Sequence, residues 1–345
     1  MNRLFDYSGI ITKVKAMKSH FISRDDFEKI ANLESISDFI TYLKNHEGYH
    51  NTFKDIDEHH LHRGQIESVF INALYLDYSS IYSFANMEQR DSLDLIFFRY
   101  EVNVLKNCIQ LVYNKDSNKY DLATFHTFFQ NHSKINVNAL AASQNMEEYV
   151  NNLKGTEYYS LFNHLENKDN VTSFDYEMQL DIYYFKKMWK LKDKKLKGDN
   201  LKSLTHRLGT EIDILNIMWL YRSKRFFNIH SNDSYSYVIP IHYKLRKEQL
   251  MKLVEASTIE EFITILNATY YKNISATLMD GTMEIYFQKI MMDIAENNAA
   301  HYSSSMAPVY AYLFEKQLEI KRLTTAVECI RYKLDPEDTL RYVLQ

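Results

Sequence analysis

The chain has 345 residues with 46% hydrophobic and 25% charged content, an ordinary globular composition long enough for two or three domains. Lys plus Arg number 41 against 45 Asp plus Glu, so no basic excess points to a nucleic-acid backbone as partner, and seven Gly with three Pro leave little turn chemistry for a β protein. Helices are therefore expected throughout, and Cys108 and Cys329 fall in apolar helical patterns that suit buried thiols in a reducing compartment rather than a disulfide scaffold or metal cluster.

In chain order, the opening MNRLFDYSGIITKVKAMK has neither a continuous apolar core nor a cleavage pattern, so no secretory signal is expected. No later run approaches the roughly 18 to 20 apolar residues of a spanning helix, so any membrane contact is expected to be peripheral. SISDFITYLKNHEGY, residues 35–49, reads as a short amphipathic helix capped by Ser35, with Phe39 four residues before Leu43 on one face. In DEHHLH, Asp57 to His62, the imidazoles of His59 and His62 stand at helical i, i+3 spacing. Without HExxH or a second Cys/His group this reads first as a solvated polar helix face and only second as a metal site. NMEEYVNNLKGTEYY, residues 145–159, repeats the short-helix phrase with Asn145 as cap and Tyr149 before Leu153.

KKMWKLKDKKLK, Lys186 to Lys197, carries seven Lys and ends before Gly198, Asp199 and Asn200, a helix end and restart. It reads as a solvated face, or else as a basic rim of Lys190, Lys192, Lys194 and Lys195 toward an acidic or anionic surface. EIDILNIMWLYRSKRFF, residues 211–227, begins with acids and ends with bases, as the helix dipole favours. Leu208, Ile212, Leu215 and Trp219 form a stripe expected to pack on one side. Glu211 and Arg222 line one edge of it and Asn216 the other, placed for polar contacts between units, with Arg225 nearer an exposed rim; alternatively Glu211 serves only its helix end and Asn216 is merely tolerated. STIEEFITILNATYY, residues 257–271, gives the short-helix phrase a third time, with Ser257 as cap and Phe262 before Leu266. Ser303 to Ser305 after His301 lack GxSxG and an orienting acid, so a capping or loop role is expected. No GxxxxGK[ST] or GxGxxG is present to cradle a phosphate.

A repeat emerges from these stretches. Leu43, Leu153 and Leu266 are spaced by 110 and 113 residues, and the phrases EVNVL, EIDIL and EIKRL place Glu101, Glu211 and Glu319 at spacings of 110 and 108. Two anchors with nearly one period predict three similar helical units near residues 1–116, 117–230 and 231–345, stacked as a solenoid or closed around an axis.

Three stretches also carry a family resemblance. YSGIITKVKAMKSHFIS is similar to an opening Tyr, basic-x-basic, Ala-Met phrase, with Lys13 and Lys15 where arginine is common. Residues 211–227 are similar to a central Glu-Ile-Asp-x-x-Asn-Ile helix followed by Arg and Lys, and APVYAYLFEKQLEIKRL is similar to a closing Pro-x-x-x-Tyr-Leu, Lys/Glu-x-x-Glu-Ile segment. Over essentially its whole length the chain resembles the C subunit of V-type and archaeal-type rotary ATPases, itself similar to the d subunit of the vacuolar enzyme. The Asn of the middle copy has no counterpart in the other two, which bears on any shared role for it. The resemblance implies an all-α, pseudo-threefold funnel of three units around a central cavity, non-catalytic and without cofactor or bound nucleotide. It further implies a rotor socket on the cytoplasmic face of the membrane proteolipid ring. That socket receives the foot of the central stalk, made of the D and F subunits, and transmits torque for ion transport. The alternatives are a cytoplasmic helical-repeat adaptor, or a hydrolase or metal enzyme built on His59 and His62.

Overall fold

A computed structural model of the protein describes residues 3–57, 63–114, 125–163, 165, 171–226 and 234–344. Among them every regular element is helical, as the scarcity of Gly and Pro predicts. The first part of the chain forms α1 (Arg3–Lys18), α2 (Arg24–Ala31), α3 (Ile36–Asn45), α4 (His50–Phe53), α5 (Arg63–Phe84) and α6 (Met87–Asn114). Next come α7 (His126–His132), α8 (Val137–Ala141), α9 (Met146–Asn151), α10 (Glu157–Asn163), α11 (Ser173–Lys195) and α12 (Gly198–Phe226). The last part forms α13 (Lys247–Glu255), α14 (Ile259–Asn267), α15 (Ser275–Asp280), α16 (Met283–His301), α17 (Ala307–Arg331) and α18 (Pro336–Leu344). No described helix is long and apolar enough to cross a membrane.

Local chemistry sets the helix ends. Ser35 accepts the Asp38 N–H at the start of α3 (3.1 Å) and Asn145 accepts the Glu148 N–H at the start of α9 (2.9 Å), which satisfies donors that a helix N-terminus leaves open. In the third copy the cap is Thr258, which accepts the Glu261 N–H (3.1 Å), one residue past the expected Ser257. Ser257 instead donates its backbone N–H to the Glu261 carboxylate (2.7 Å), so both residues serve the same helix start. Between α11 and α12, Gly198 takes a left-handed φ of 56°, which a side chain would strain, and so breaks the basic helix from the next. Ser305 donates to the Tyr302 carbonyl (2.7 Å) and accepts the Ala307 N–H (3.1 Å), which starts α17 after the exposed His301.

The long helices come in consecutive pairs: α5 with α6, α11 with α12, and α16 with α17. One member of each pair packs on a member of the next, α6 on α11, α12 on α16, and α17 back on α5. The short helices follow the same rule. α8 and α9 lie on α6, α13 and α14 lie on α12, and α2 and α3 lie on α17, almost a full chain length away in sequence.

Burial of α12 departs from the expected single stripe. Leu204, Leu208 and Ile212 belong to the large core, whereas Ile214, Ile217, Met218 and Tyr221 belong to a second core with α13 to α15. Leu215 and Trp219 of the expected stripe are only partly buried. A helix shared by two cores has apolar residues nearly all round, so a one-sided period underestimates it.

Gly209 permits this double packing. A β-carbon there would lie 2.4 to 2.8 Å from ring atoms of Tyr243, closer than any real contact. The Gly209→Ala substitution should destabilise the chain by about 1 to 3 kcal/mol through overpacking, the penalty typical of an added methyl in a filled core. Urea unfolding followed by circular dichroism measures it, and a variant as stable as wild type would mean that the Tyr243 ring moves aside freely.

Candidate functional site

Three buried carboxylates hold the short helices to the long ones. On α6, Glu101 accepts from the Tyr158 hydroxyl (2.5 Å) and from Ser133 Oγ, and Ser133 Oγ in turn accepts the Ile135 N–H (3.1 Å). On α12, Asp213 accepts the Tyr271 hydroxyl (2.9 Å) and the N–H groups of Tyr243 (3.3 Å), Lys244 (2.6 Å) and Leu245 (2.8 Å). On α17, Glu319 accepts the Tyr49 hydroxyl (2.5 Å), the Ile22 N–H (3.1 Å) and Lys316 Nζ (2.9 Å). The match reaches the backbone: Ile22, Ile135 and Leu245 each stand two residues before the short helix that they lead into, α2, α8 and α13. Each acid thus grips the entry to one short helix and a tyrosine beyond the next, Tyr49 and Tyr271 in the turn that follows it and Tyr158 in the first turn of α10.

The middle copy uses Asp213, not Glu211. Two residues along a helix is a rotation of about 200°, so the two acids face nearly opposite ways. Glu211 pairs with Arg99 of α6, whose guanidinium also lies 4.2 Å from the Tyr184 ring centroid. Asn216 accepts the Ile239 N–H (2.9 Å) and donates to the Ile239 carbonyl (3.0 Å), fixing the segment that crosses toward α13. Arg222 pairs with Glu284 at the start of α16, while Arg225 is exposed and makes no ion pair with another described residue. Lys224, in the basic tail of the same stretch, donates to the carbonyls of Val254 and Ala256 (2.7 Å each) and so caps the end of α13.

The basic segment divides. Lys192 is 3% exposed, bonded to Asp193 (2.8 Å) and 4.1 Å from the Trp189 ring centroid, so it belongs to the packing and not to a rim. Lys195 is committed to Asp91 (3.0 Å) and Asp94 (3.7 Å). Lys190 and Lys194 are exposed without a described partner, and so are Lys186 and Lys197. Lys186, Lys190 and Lys194 recur at i, i+4 spacing along one face of α11, with Lys197 in the connection to α12, an order that the charge count alone did not single out.

A cavity of about 240 Å³ lies between α6, α11, α12 and α17, with Arg99, Glu211 and Tyr184 on one side and Arg207, Phe314 and Gln317 on its wall. Arg207 stacks on Phe314 with 5.0 Å to the ring centroid. Nearby, Asn200 donates to the Tyr7 hydroxyl (2.8 Å) and accepts the Met306 N–H (2.8 Å), tying the starts of α12, α1 and α17 together. His59 and His62 lie outside the described residues, and among the described residues no cluster of His, Cys, Asp or Glu could hold a metal ion.

A family profile described as ATP synthase (C/AC39) subunit matches residues 10–342. Proteins named as the C subunit of an A-type ATP synthase are similar over nearly full length. That of Methanosphaera stadtmanae is 20% identical, covering 99% of this chain and 88% of its own. That of Thermococcus kodakarensis is 22% identical, covering 98% and 90%, and that of Archaeoglobus fulgidus is 24% identical, covering 92% and 90%. The chain belongs to the ATP synthase (C/AC39) subunit family, the family its sequence resembles.

The clamps carry a pH signature. Burial raises the Glu101 carboxyl above its ordinary value of 4.5, with the Ser133 and Tyr158 hydroxyls pulling the other way. The folded chain therefore keeps this proton at pH values where the unfolded chain has released it. Its contribution to stability is fullest below pH 4.5, falls as pH rises toward the folded value, and is level above that. Unfolding free energies of wild type and Glu101→Gln, compared from about pH 4 to pH 8, should diverge across that window, wild type losing more stability with rising pH. A difference independent of pH would count against a raised Glu101. Asp213→Asn, which turns an amide N–H toward backbone donors, should cost about 3 kcal/mol at neutral pH by the same assay.

Proposed function

We propose that this chain is the non-catalytic rotor socket of an archaeal-type or V-type ATP synthase, joining the central stalk of D and F subunits to the membrane proteolipid ring. The observation that carries this reading is the family match over residues 10–342, since the relatives that cover the same length are named as C subunits of A-type ATP synthases. In this reading the sequence units 1–116, 117–230 and 231–345 surround a pseudo-threefold axis as a funnel. The last long helix of each unit, α6, α12 or α17, receives short helices from the unit that follows, the last from the first, a lacing that suits closure around an axis rather than an open stack. Glu101, Asp213 and Glu319 then lie at the three inter-unit joints, with Arg99 to Glu211 and Arg222 to Glu284 as further joints.

A part that transmits torque must resist shear between its units, and buried charge-assisted hydrogen bonds with fixed geometry supply that resistance. The stalk enters the wide end of the funnel, toward the cavity between α6, α12 and α17. The opposite end sits peripherally on the cytoplasmic side of the ring, where the stripe of Lys186, Lys190 and Lys194, with Lys197 just beyond it, steers it toward acidic or anionic-lipid surface.

The isolated chain should bind a purified D and F complex on size-exclusion chromatography and show no ATPase activity of its own; hydrolysis of ATP, or indifference to both stalk and ring, would sink the assignment. For the lysine stripe, replacing Lys186, Lys190, Lys194 and Lys197 by Gln should leave stability within about 0.5 kcal/mol, because all four are exposed. Binding to the ring or to anionic vesicles should fall, with a flatter salt dependence. Equal binding at every ionic strength would reduce the stripe to a solvated face.

A further inference from the structure

We infer that Arg207 seats a carboxylate side chain from the foot of the central stalk, in the cavity between α6, α11, α12 and α17; this rests on the socket reading above. The cavity holds two arginines and one acid. Arg99 is matched by Glu211, whereas Arg207 has no carboxylate among the described residues within ion-pair distance. Its Nε is buried and makes no hydrogen bond. A buried donor without a partner is uncommon in folded proteins and asks for one from outside.

The surroundings prepare Arg207 for such a partner. Phe314 supports the guanidinium plane at 5.0 Å, which limits its swing and leaves its edge as the bonding surface. Tyr100, 1% exposed and on the same cavity wall with Gln317 as a polar neighbour, has a hydroxyl that completes no hydrogen bond of normal geometry. A carboxylate offers two oxygens, enough to take the guanidinium edge and a phenol together.

Size and polarity select the ligand. A cavity of about 240 Å³ has room for a side chain presented from a helix tip. Leu95, Leu204 and Leu313 make much of the wall apolar, and Glu211 already lines it. A phosphate with two negative charges would meet that acid and only one uncommitted cation, whereas a single Asp or Glu with its methylenes against the leucines fits both charge and surface.

The test uses the full chain and a purified D and F stalk complex, with affinity measured between about 50 and 300 mM salt. Arg207→Gln should weaken binding about tenfold or more at low salt, near 1.4 kcal/mol, and flatten the salt dependence. Arg207→Lys should keep the salt dependence while losing part of the affinity. Gln317→Glu, which places a competing carboxylate on the same wall, should weaken binding without removing Arg207. Arg207→Gln binding within about twofold of wild type, with an unchanged salt slope, overturns the inference while leaving the socket reading intact. A wild-type chain that ignores the stalk overturns the socket reading itself, and this inference with it. If circular dichroism finds Arg207→Gln misfolded, Gln317→Glu decides, and unchanged affinity for that variant overturns the inference.

Discussion

The fold depends on a carboxylate buried in each of three long helices that binds a distant tyrosine hydroxyl. Taking such a group out of water is costly unless hydrogen bonds replace its hydration, so each acid must collect donors as the chain assembles. The three copies meet this requirement differently. Asp213, with the shorter side chain, gathers three backbone N–H groups besides its tyrosine. Glu319 has the ammonium of Lys316 beside it, and Glu101 relies on hydroxyls, Ser133 relaying the backbone contact that the other two make directly. Burial raises both Glu101 and Asp213 above their ordinary values, so neither the hydroxyls nor the backbone donors fully replace water.

Because the donors come from segments that lead into and follow the short helices, each bond fixes where a group of short helices sits on its long helix. These helices have four to ten residues, too short to be stable alone, so their order comes from the core beneath them and from the acid that anchors their ends. Gly209 belongs to the same arrangement. Without a β-carbon it lets Tyr243 lie against α12, and the next two N–H groups then fall within reach of Asp213 one turn on.

Much of this was legible in the sequence, but as separate marks. The short-helix phrases at Leu43, Leu153 and Leu266 and the acids Glu101 and Glu319 mark two anchors of one repeat, and the tyrosines that join them stand in the quoted stretches at Tyr49, Tyr158 and Tyr271. The middle register misled because Glu211 completes the better sequence phrase while Asp213, turned to the opposite face, makes the bond. Local pattern cannot tell which of two acids faces the core when both faces of the helix are covered. The basic segment shows a related limit. A count of seven lysines treats them alike, yet an aromatic neighbour and the helical phase bury Lys192 and an acidic turn of α6 engages Lys195, leaving Lys190 and Lys194 in solvent.

The third joint differs from the other two in being closed by no short connection. Glu101 and Asp213 reach partners within about sixty residues, whereas Glu319 meets Ile22 across 297 residues and Tyr49 across 270. Loop-closure entropy grows only logarithmically, so a tenfold longer loop costs about 2 kcal/mol more. That is the scale of one or two charge-assisted hydrogen bonds. The extra bonds are present at this joint. Besides the Tyr49 and Ile22 contacts, Lys316 donates to the Tyr49 hydroxyl (2.9 Å), Tyr312 donates to Asp77 (2.7 Å), and Lys18 pairs with Glu315 (2.6 Å). A connected buried network of Tyr49, Lys316 and Glu319 thus lies where the first and last parts of the chain meet, and bonds of that kind are on the scale of the added closure entropy.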